Sequence, residues 1–87
     1  MNGEETNAET LALGALGWTL SDDARASRLL ALTGLSPETL RARVGESELL
    51  AATLRFLEGH EPDLVACAEW LGIAPTELVE ARRRLER

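Results

Sequence analysis

Few side chains in this 87-residue chain belong to the types that perform nucleophilic or acid–base chemistry at neutral pH. The single histidine, His60, stands between Gly59 and Glu61 in a predicted turn. A solvated or helix-capping role is more common there than the role of a catalytic base. The single cysteine, Cys67, stands between two alanines, which is typical of a small buried apolar residue rather than of a nucleophile. We therefore predict that neither residue is catalytic.

The carboxylates are numerous, but their positions indicate structural roles. Pairs of them stand where helices are predicted to begin, and the positive end of a helix dipole favours negative charge there. The sequence contains no metal-ligand spacing and no glycine-rich phosphate loop. Because a chain of this length has barely enough core to fold alone, we do not expect a ligand pocket of the usual ~300–1,000 Å³. The sequence thus predicts a non-enzymatic protein with no catalytic residues, no cofactor, no metal site and no small-molecule substrate.

Composition and charge argue against several other classes of protein. No run approaches the ~18 apolar residues of a membrane span, and the acidic first five residues are unlike a signal peptide. A lone cysteine agrees with a reducing compartment, so we expect a cytoplasmic protein that does not bind a membrane. The net charge is −6, with −9 on residues 1–80 and +3 on residues 81–87. Such an acidic body argues against nucleic acid as a partner.

The spacing of the apolar residues predicts an all-α fold, a compact bundle of about six short helices, and no strand. Residues 1–5 are polar, and we expect them to be disordered, with residues 6–87 forming a single helical domain. A capping box at Thr6–Glu9 starts the first helix, which is expected to end at about Leu20. The remaining helices are predicted at about 23–33, 37–44, 47–58, 62–71 and 75–85.

Two helix boundaries share one sequence pattern. The segments 34–40 (GLSPETL) and 72–78 (GIAPTEL) each place a glycine after a helix end, then an apolar residue, a small residue and a proline at the start of the next helix. Residues 8–40 align with residues 46–78 without a gap, and the identical pairs fall at core and helix-boundary positions. We interpret this alignment as a possible internal repeat, with two three-helix units in tandem.

Several positions also resemble a known protein family. They are Trp18, Arg28, Leu30 and the segments 15–16, 32–41, 63–64, 72–75 and 81–82, with an aspartate at position 22 or 23. Together they resemble a family of short alphaproteobacterial proteins that carry an uncharacterised domain of unknown function. The resemblance implies a bacterial cytoplasmic origin and a compact helical fold. It implies no activity, cofactor or site residue.

The helix–glycine–helix pattern at residues 68–78 is also that of a helix-turn-helix motif. The first residues of its second helix include Thr76, Glu77 and Glu80, so carboxylates would face the phosphates of DNA. A helix-turn-helix-like transcriptional regulator or DNA-binding accessory protein is therefore the alternative interpretation. The principal interpretation is a protein-interaction domain that acts through self-association, as a homodimer, or through an unidentified protein partner.

The outer side of the first helix is the candidate contact surface. On a helical wheel, Leu13 and Leu20 lie away from the predicted core stripe, and Gly14 and Gly17 lie beside them. Each interior glycine costs about 1 kcal/mol relative to alanine, so a close neighbouring backbone is expected there. Either this helix is the central one of the bundle, or its outer face is a dimer or partner surface.

The aligned second unit offers a comparison for this face. Its equivalent residues are Ala51, Ala52, Arg55 and Glu58, which predict a solvated surface. A second anchor is predicted at Trp70, on the flank of the fifth helix, because a partly exposed tryptophan is enriched at interface hot spots. The candidate interface thus consists of Leu13, Gly17, Leu20 and Trp70.

Overall fold

The structure, a computed structural model, describes the backbone of residues 3–87 and the side chains from residue 7 onward. Six α-helices follow one another in this part of the chain: α1 Gly3–Leu20, α2 Asp23–Thr33, α3 Pro37–Ala42, α4 Ser47–Glu58, α5 Glu61–Leu71 and α6 Pro75–Leu85. The described residues contain no strand, and their radius of gyration is 11.9 Å. The predicted all-α class and the six predicted helices are confirmed. None of these helices is both long and apolar enough to cross a membrane.

Three helix ends differ from the sequence prediction, and one of them, the start of α5 at Glu61 instead of Pro62, differs by a single residue. The first helix begins at Gly3, ahead of the capping box predicted at Thr6–Glu9. Glutamate is a good helix former, and negative charge is favourable in a first turn, so Glu4 and Glu5 favour this earlier start. Residues 3–5 of the segment predicted to be disordered therefore belong to α1, and residues 1 and 2 lie outside the described residues. The third helix ends at Ala42, two residues before the predicted end.

Local caps hold several of the other boundaries. Gly34 and Gly72 follow α2 and α5 with φ of 73° and 75°, the left-handed conformation that glycine adopts without a steric penalty. The Asp22 side chain accepts the N–H three residues later at 3.0 Å, at the start of α2. Ser36 does the same for the Thr39 N–H at 3.1 Å, at the start of α3. These boundaries follow the local rules from which they were predicted.

The centre of the bundle is formed by α1, α4 and α6, each of which packs against the other two. α5 lies against all three, whereas α2 contacts α1 and α4. The largest fully buried apolar side chains are leucines of α2, α4 and α6: Leu29, Leu50, Leu54, Leu57 and Leu78. Two buried hydroxyls, on Thr19 and Thr53, donate to carbonyls one turn earlier at 2.8 and 2.9 Å, so burial leaves neither without a partner.

The predicted repeat receives local support but stays a prediction. Leu16 and its aligned residue Leu54 are both buried, as are Leu40 and Leu78. The third helices of the two units, however, have unlike surroundings. α6 is 11 residues long and packs on α1, α4 and α5, whereas α3 has six residues and few contacts with the other helices.

Candidate interaction surface

The outer face of α1 leaves two leucines and a glycine exposed. Leu13 is 45% exposed and Leu20 is 38% exposed. Gly17 lies between them, and a Cβ added to it would meet no atom within 4 Å. On its other sides α1 contacts α2, α4, α5 and α6. The helix is therefore central in the bundle and still has one uncovered face, and its role as a dimer or partner surface stays a prediction.

Gly14 has a different environment from Gly17. A Cβ added to Gly14 would lie 2.9 Å from Cδ2 of Leu71, so the absent side chain allows the end of α5 to approach α1. The expectation that an interior glycine marks a close neighbour is correct for Gly14, although the neighbour is a side chain rather than a backbone. No such neighbour exists for Gly17 among the described residues.

The direction of α5 along α1 follows from two contacts. Leu71 lies at Gly14. Two turns earlier in α5, Asp63 accepts a hydrogen bond of 3.2 Å from Arg28 of α2, the helix that directly follows the end of α1. Residue numbers thus rise along one helix as they fall along the other. The two helices run antiparallel.

Antiparallel packing places Trp70 beside the exposed face of α1. Gly14 of α1 lies against Leu71 of α5. Leu13 directly precedes Gly14 in the sequence, and Trp70 directly precedes Leu71. In two antiparallel helices, residues one place before the contact positions emerge on the same side of the pair. Trp70 is 65% exposed there. The four candidate residues therefore share one surface, the α1–α5 face, defined by Leu13, Gly17, Leu20 and Trp70.

The aligned face of α4 is not solvated as a whole, and this part of the prediction was wrong. Ala51 is buried. Glu58 accepts two hydrogen bonds from Arg82 of α6, at 2.5 and 3.2 Å, and Arg55 forms an ion pair with Glu86. The last turn of α6 and Glu86, which directly follows it, make these contacts, so the end of α6 covers part of this face of α4.

Neither of the two residues of reactive type, Cys67 and His60, belongs to the α1–α5 face. Cys67 is buried, and burial raises the pKa of its thiol to about 11. His60 is half-exposed at the residue before α5, with Nε2 3.9 Å from a carboxylate oxygen of Asp63. Within residues 7–87, no three His, Cys, Asp or Glu side chains lie together in a way that could hold a metal ion.

A cleft beside α4 and the end of α6 corrects the expectation about cavities. It encloses about 530 Å³, which is within the size range of ligand pockets. The residues that line it are mostly charged or polar, whereas ligand pockets are mostly apolar: Ser47, Glu48, Ala51, Arg55, Leu85 and Glu86. The volume was therefore underestimated from the sequence, but the lining is unlike that of a usual ligand site.

A second hollow continues from the α1–α5 face. It is an apolar groove of about 290 Å³ between α2 and α3. Leu20, the last residue of α1, also lines it. The residues that line it are Leu20, Ala26, Leu30, Pro37, Leu40, Arg41 and Val44. The groove was not predicted, because it depends on how α2, α3 and the end of α1 lie relative to one another.

The helix-turn-helix-like hairpin is formed by α5 and α6. Thr76 and Glu77 are exposed at the start of α6, and the Glu77 carboxylate accepts the N–H of Ala74 at 2.8 Å. Farther along α6, Leu78 and Ala81 are buried against the bundle. The end of the helix that a helix-turn-helix protein presents to DNA is thus acidic here.

Comparison with known proteins gives one match. A family model described as "Protein of unknown function (DUF3572)" matches residues 5–87. No curated protein and no solved structure matches the chain.

Proposed function

Because the chain belongs to this family of proteins of unknown function, we propose its function from the surface itself: it is a non-enzymatic protein-interaction domain. It acts through the α1–α5 face, either by self-association or by binding a protein partner. We place it in the cytoplasm of an alphaproteobacterium. That location is supported by the lone buried cysteine and by the family resemblance of the sequence.

The observation that carries this proposal is the grouping of exposed apolar side chains. Single exposed leucines are normal on a protein surface, but a tryptophan and two leucines around a glycine on one surface are not explained by packing within the chain. Tryptophan is also the residue type most enriched at interface hot spots. Trp70 is 65% exposed, whereas the other tryptophan, Trp18, is buried.

A non-enzymatic role is supported by the state of the two reactive residues. The nucleophile in cysteine chemistry is the thiolate, and a thiol with a pKa of about 11 is protonated at neutral pH. His60 has no buried hydrogen-bond partner that would orient it as a base, since its nearest carboxylate is 3.9 Å away.

DNA binding is less well supported. The exposed start of α6 carries carboxylates, and α6 packs on three other helices. A duplex titration at about 100 mM salt is expected to show nothing tighter than the ~10⁻⁴ to 10⁻⁶ M of non-specific contact. Sequence-selective binding at nanomolar concentration would make the helix-turn-helix interpretation the better one.

The proposal is tested with variants of the α1–α5 face. Wild type is compared with Gly17→Arg and Trp70→Ala in sedimentation and in capture of proteins from a native lysate. The matched control is Leu32→Ala, because Leu32 is as exposed as Trp70, at 66%, but lies on α2. Circular dichroism checks that each variant keeps its helices.

We expect the two face variants to dissociate an oligomer or to lose a captured protein, while Leu32→Ala behaves as wild type. If sedimentation and capture are the same for all four proteins, the α1–α5 face is not an interaction surface. In that case the proposed function fails.

A further inference from the structure

We propose that residues 35–45, with α3 at their centre, form a flap that opens while the rest of the bundle stays folded. Opening uncovers the apolar groove between α2 and α3. This inference goes beyond an interaction at the α1–α5 face and does not depend on it. It follows from the way the flap is attached and from the apolar residues that it faces across the groove.

No hydrogen bond or ion pair joins the flap to a distant part of the chain. Among the described residues, every such contact of residues 35–45 is made with a residue at most four positions away. Arg43, for example, donates to the Glu46 carboxylate at 2.9 Å. The α3 helix also has few contacts with the other helices. Apolar packing alone therefore holds the flap against the bundle.

Three apolar side chains supply this packing. Leu40 is 4% exposed, and Leu35 and Val44 are partly buried against the core. A helix of six residues depends on such contacts, since isolated helices shorter than about 12–15 residues are marginal in water. Elements with few buried apolar contacts open at a lower free energy than the core does. We therefore expect the flap to open far more often than the bundle unfolds.

Glycines lie at both ends of the flap. Gly34 precedes it with φ of 73°, and Gly45 is its last residue. A Cβ added to either glycine would meet no atom within 4 Å, so other parts of the chain do not crowd these positions. Hinges are a few residues at the ends of elements, often small ones, that absorb large changes of φ and ψ. The two glycines meet this description.

The aligned helix of the second unit is firmly held by comparison. Leu78 of α6, which aligns with Leu40, is also buried. However, α6 packs on α1, α4 and α5, and Arg82 in its last turn donates to Glu58 of α4 at 2.5 Å. The two leucines thus have aligned positions and similar burial, but only Leu40 belongs to a segment without a polar contact to another helix.

The flap forms one wall of the apolar groove of about 290 Å³. The facing walls are apolar side chains of α2 and of the end of α1: Ala26, Leu30 and Leu20. When α3 moves away from α2, water reaches the side chains of both walls. The fold can thus vary its exposed apolar surface without losing the bundle.

The first test is hydrogen exchange in the wild-type chain, measured by NMR at urea concentrations below the unfolding transition. Exchange through local opening exposes little surface, so its rate hardly changes with urea, whereas exchange through global unfolding rises steeply. The reporters are the amides of Leu40 and Arg43, which donate to carbonyls within the flap. The amide of Leu54 in α4 is the reference.

We expect the amides of Leu40 and Arg43 to exchange at least tenfold faster than that of Leu54, at rates nearly independent of urea. Rates and urea dependence equal to those of Leu54 overturn the inference, because the flap would then open only with the whole bundle. Exchange as fast as in an unstructured peptide also overturns it, because the flap would have no closed state.

The second test compares Leu40→Asp with its matched control, Leu78→Asp. An unpaired carboxylate is costly to bury, so each substitution displaces its helix from the bundle. We expect Leu40→Asp to keep a cooperative thermal transition in circular dichroism and to bind an anilinonaphthalene sulfonate dye with at least threefold higher fluorescence than wild type, since this dye reports exposed apolar surface. Leu78→Asp is expected to lose the transition. Equal effects of the two substitutions overturn the inference, as does wild-type dye fluorescence in Leu40→Asp.

Discussion

Gly14 and Gly17 stand three residues apart on α1 in opposite surroundings. A Cβ on Gly17 meets open space, whereas a Cβ on Gly14 lies 2.9 Å from Leu71. We expect Gly17→Ala to raise the free energy of unfolding by about 1 kcal/mol, the difference in helix propensity. We expect Gly14→Ala to raise the free energy of unfolding by less, or to lower it, because the side chain of Leu71 must move. Urea denaturation of the two variants measures the difference, and equal stabilisation would contradict the contact between Gly14 and Leu71.

The helical wheel of α1 separated Leu13 and Leu20 from the core stripe but left open whether another helix covers them. Leu13 and Leu20 lie off the apolar stripe, and both are exposed in the structure. The wheel could not tell Gly14 from Gly17, because the difference depends on where Leu71 of another helix lies. Trp70 was likewise placed on the flank of α5 from the sequence, but its position beside α1 required the antiparallel packing.

Two helices end at glycines whose backbone is left-handed. Gly34 has φ of 73° and Gly72 has φ of 75°. An alanine in this conformation places Cβ against the carbonyl, which costs about 1–2 kcal/mol. We therefore expect Gly34→Ala and Gly72→Ala each to lower the free energy of unfolding by that amount.

The matched control for these two variants is Gly45→Ala. Gly45 lies between α3 and α4, its φ is not in the left-handed region, and an added Cβ would meet no atom within 4 Å. We expect this change to leave stability within about 0.5 kcal/mol of wild type, as surface substitutions usually do. A similar loss in all three variants, measured by urea denaturation, would mean that the left-handed backbone is not the cause.

The end of α6 is held to α4 by charge, which makes this contact sensitive to pH. Burial works against ionisation of Glu86, but hydrogen bonds from Arg82 and Arg55 outweigh it and lower the pKa of the Glu86 carboxyl. A carboxyl group whose pKa is lower in the folded state stabilises the fold at pH values above its unfolded-state pKa. This stabilisation is lost as the pH falls through the folded-state pKa. We therefore expect Glu86→Gln to lower the thermal midpoint at pH 7 and to have a progressively smaller effect as the pH falls below the ordinary carboxyl pKa of 4.5.

The measurement is thermal unfolding of wild type and Glu86→Gln across this pH range. Glu69→Gln is the control, because Glu69 is exposed on α5, away from α6's last turn. Its midpoint is expected to follow wild type at every pH. A difference between Glu86→Gln and wild type that is as large at low pH as at pH 7 would show that the side chain acts through packing rather than charge.

Helix ends set by neighbouring residues were predictable, whereas contacts between residues distant in the chain were not. The start of α2 at Asp23 and the start of α3 at Pro37 are set by Asp22 and Ser36, which cap them locally. The contact of the last turn of α6 with Arg55 and Glu58 joins residues about 24 to 31 places apart in the chain. Local rules carry no information about such a contact.

The arrangement of the whole bundle departs from the symmetry that the repeat suggested. If the two units were equivalent, α3 would pack on the outer face of α1 in the same way as α6 packs on α4. The structure has α6 between the two units instead, since it packs on α1 as well as on α4 and α5. The third helices of the two units are thus unequal in length and in packing, which an alignment ending at residue 78 could not reveal.

The position of α6 leads to a prediction about folding. Each unit depends on the other for much of its core, because α6 and α1 belong to different units and pack closely. We expect the chain to unfold in a single cooperative transition, with a van't Hoff enthalpy on the order of 60 kcal/mol at this length. Trp70→Phe leaves Trp18 of α1 as the only tryptophan, so its fluorescence reports the first unit while circular dichroism reports all the helices. The two transitions should coincide, and loss of the Trp18 signal at a clearly lower temperature would mean that residues 8–40 unfold as a separate unit.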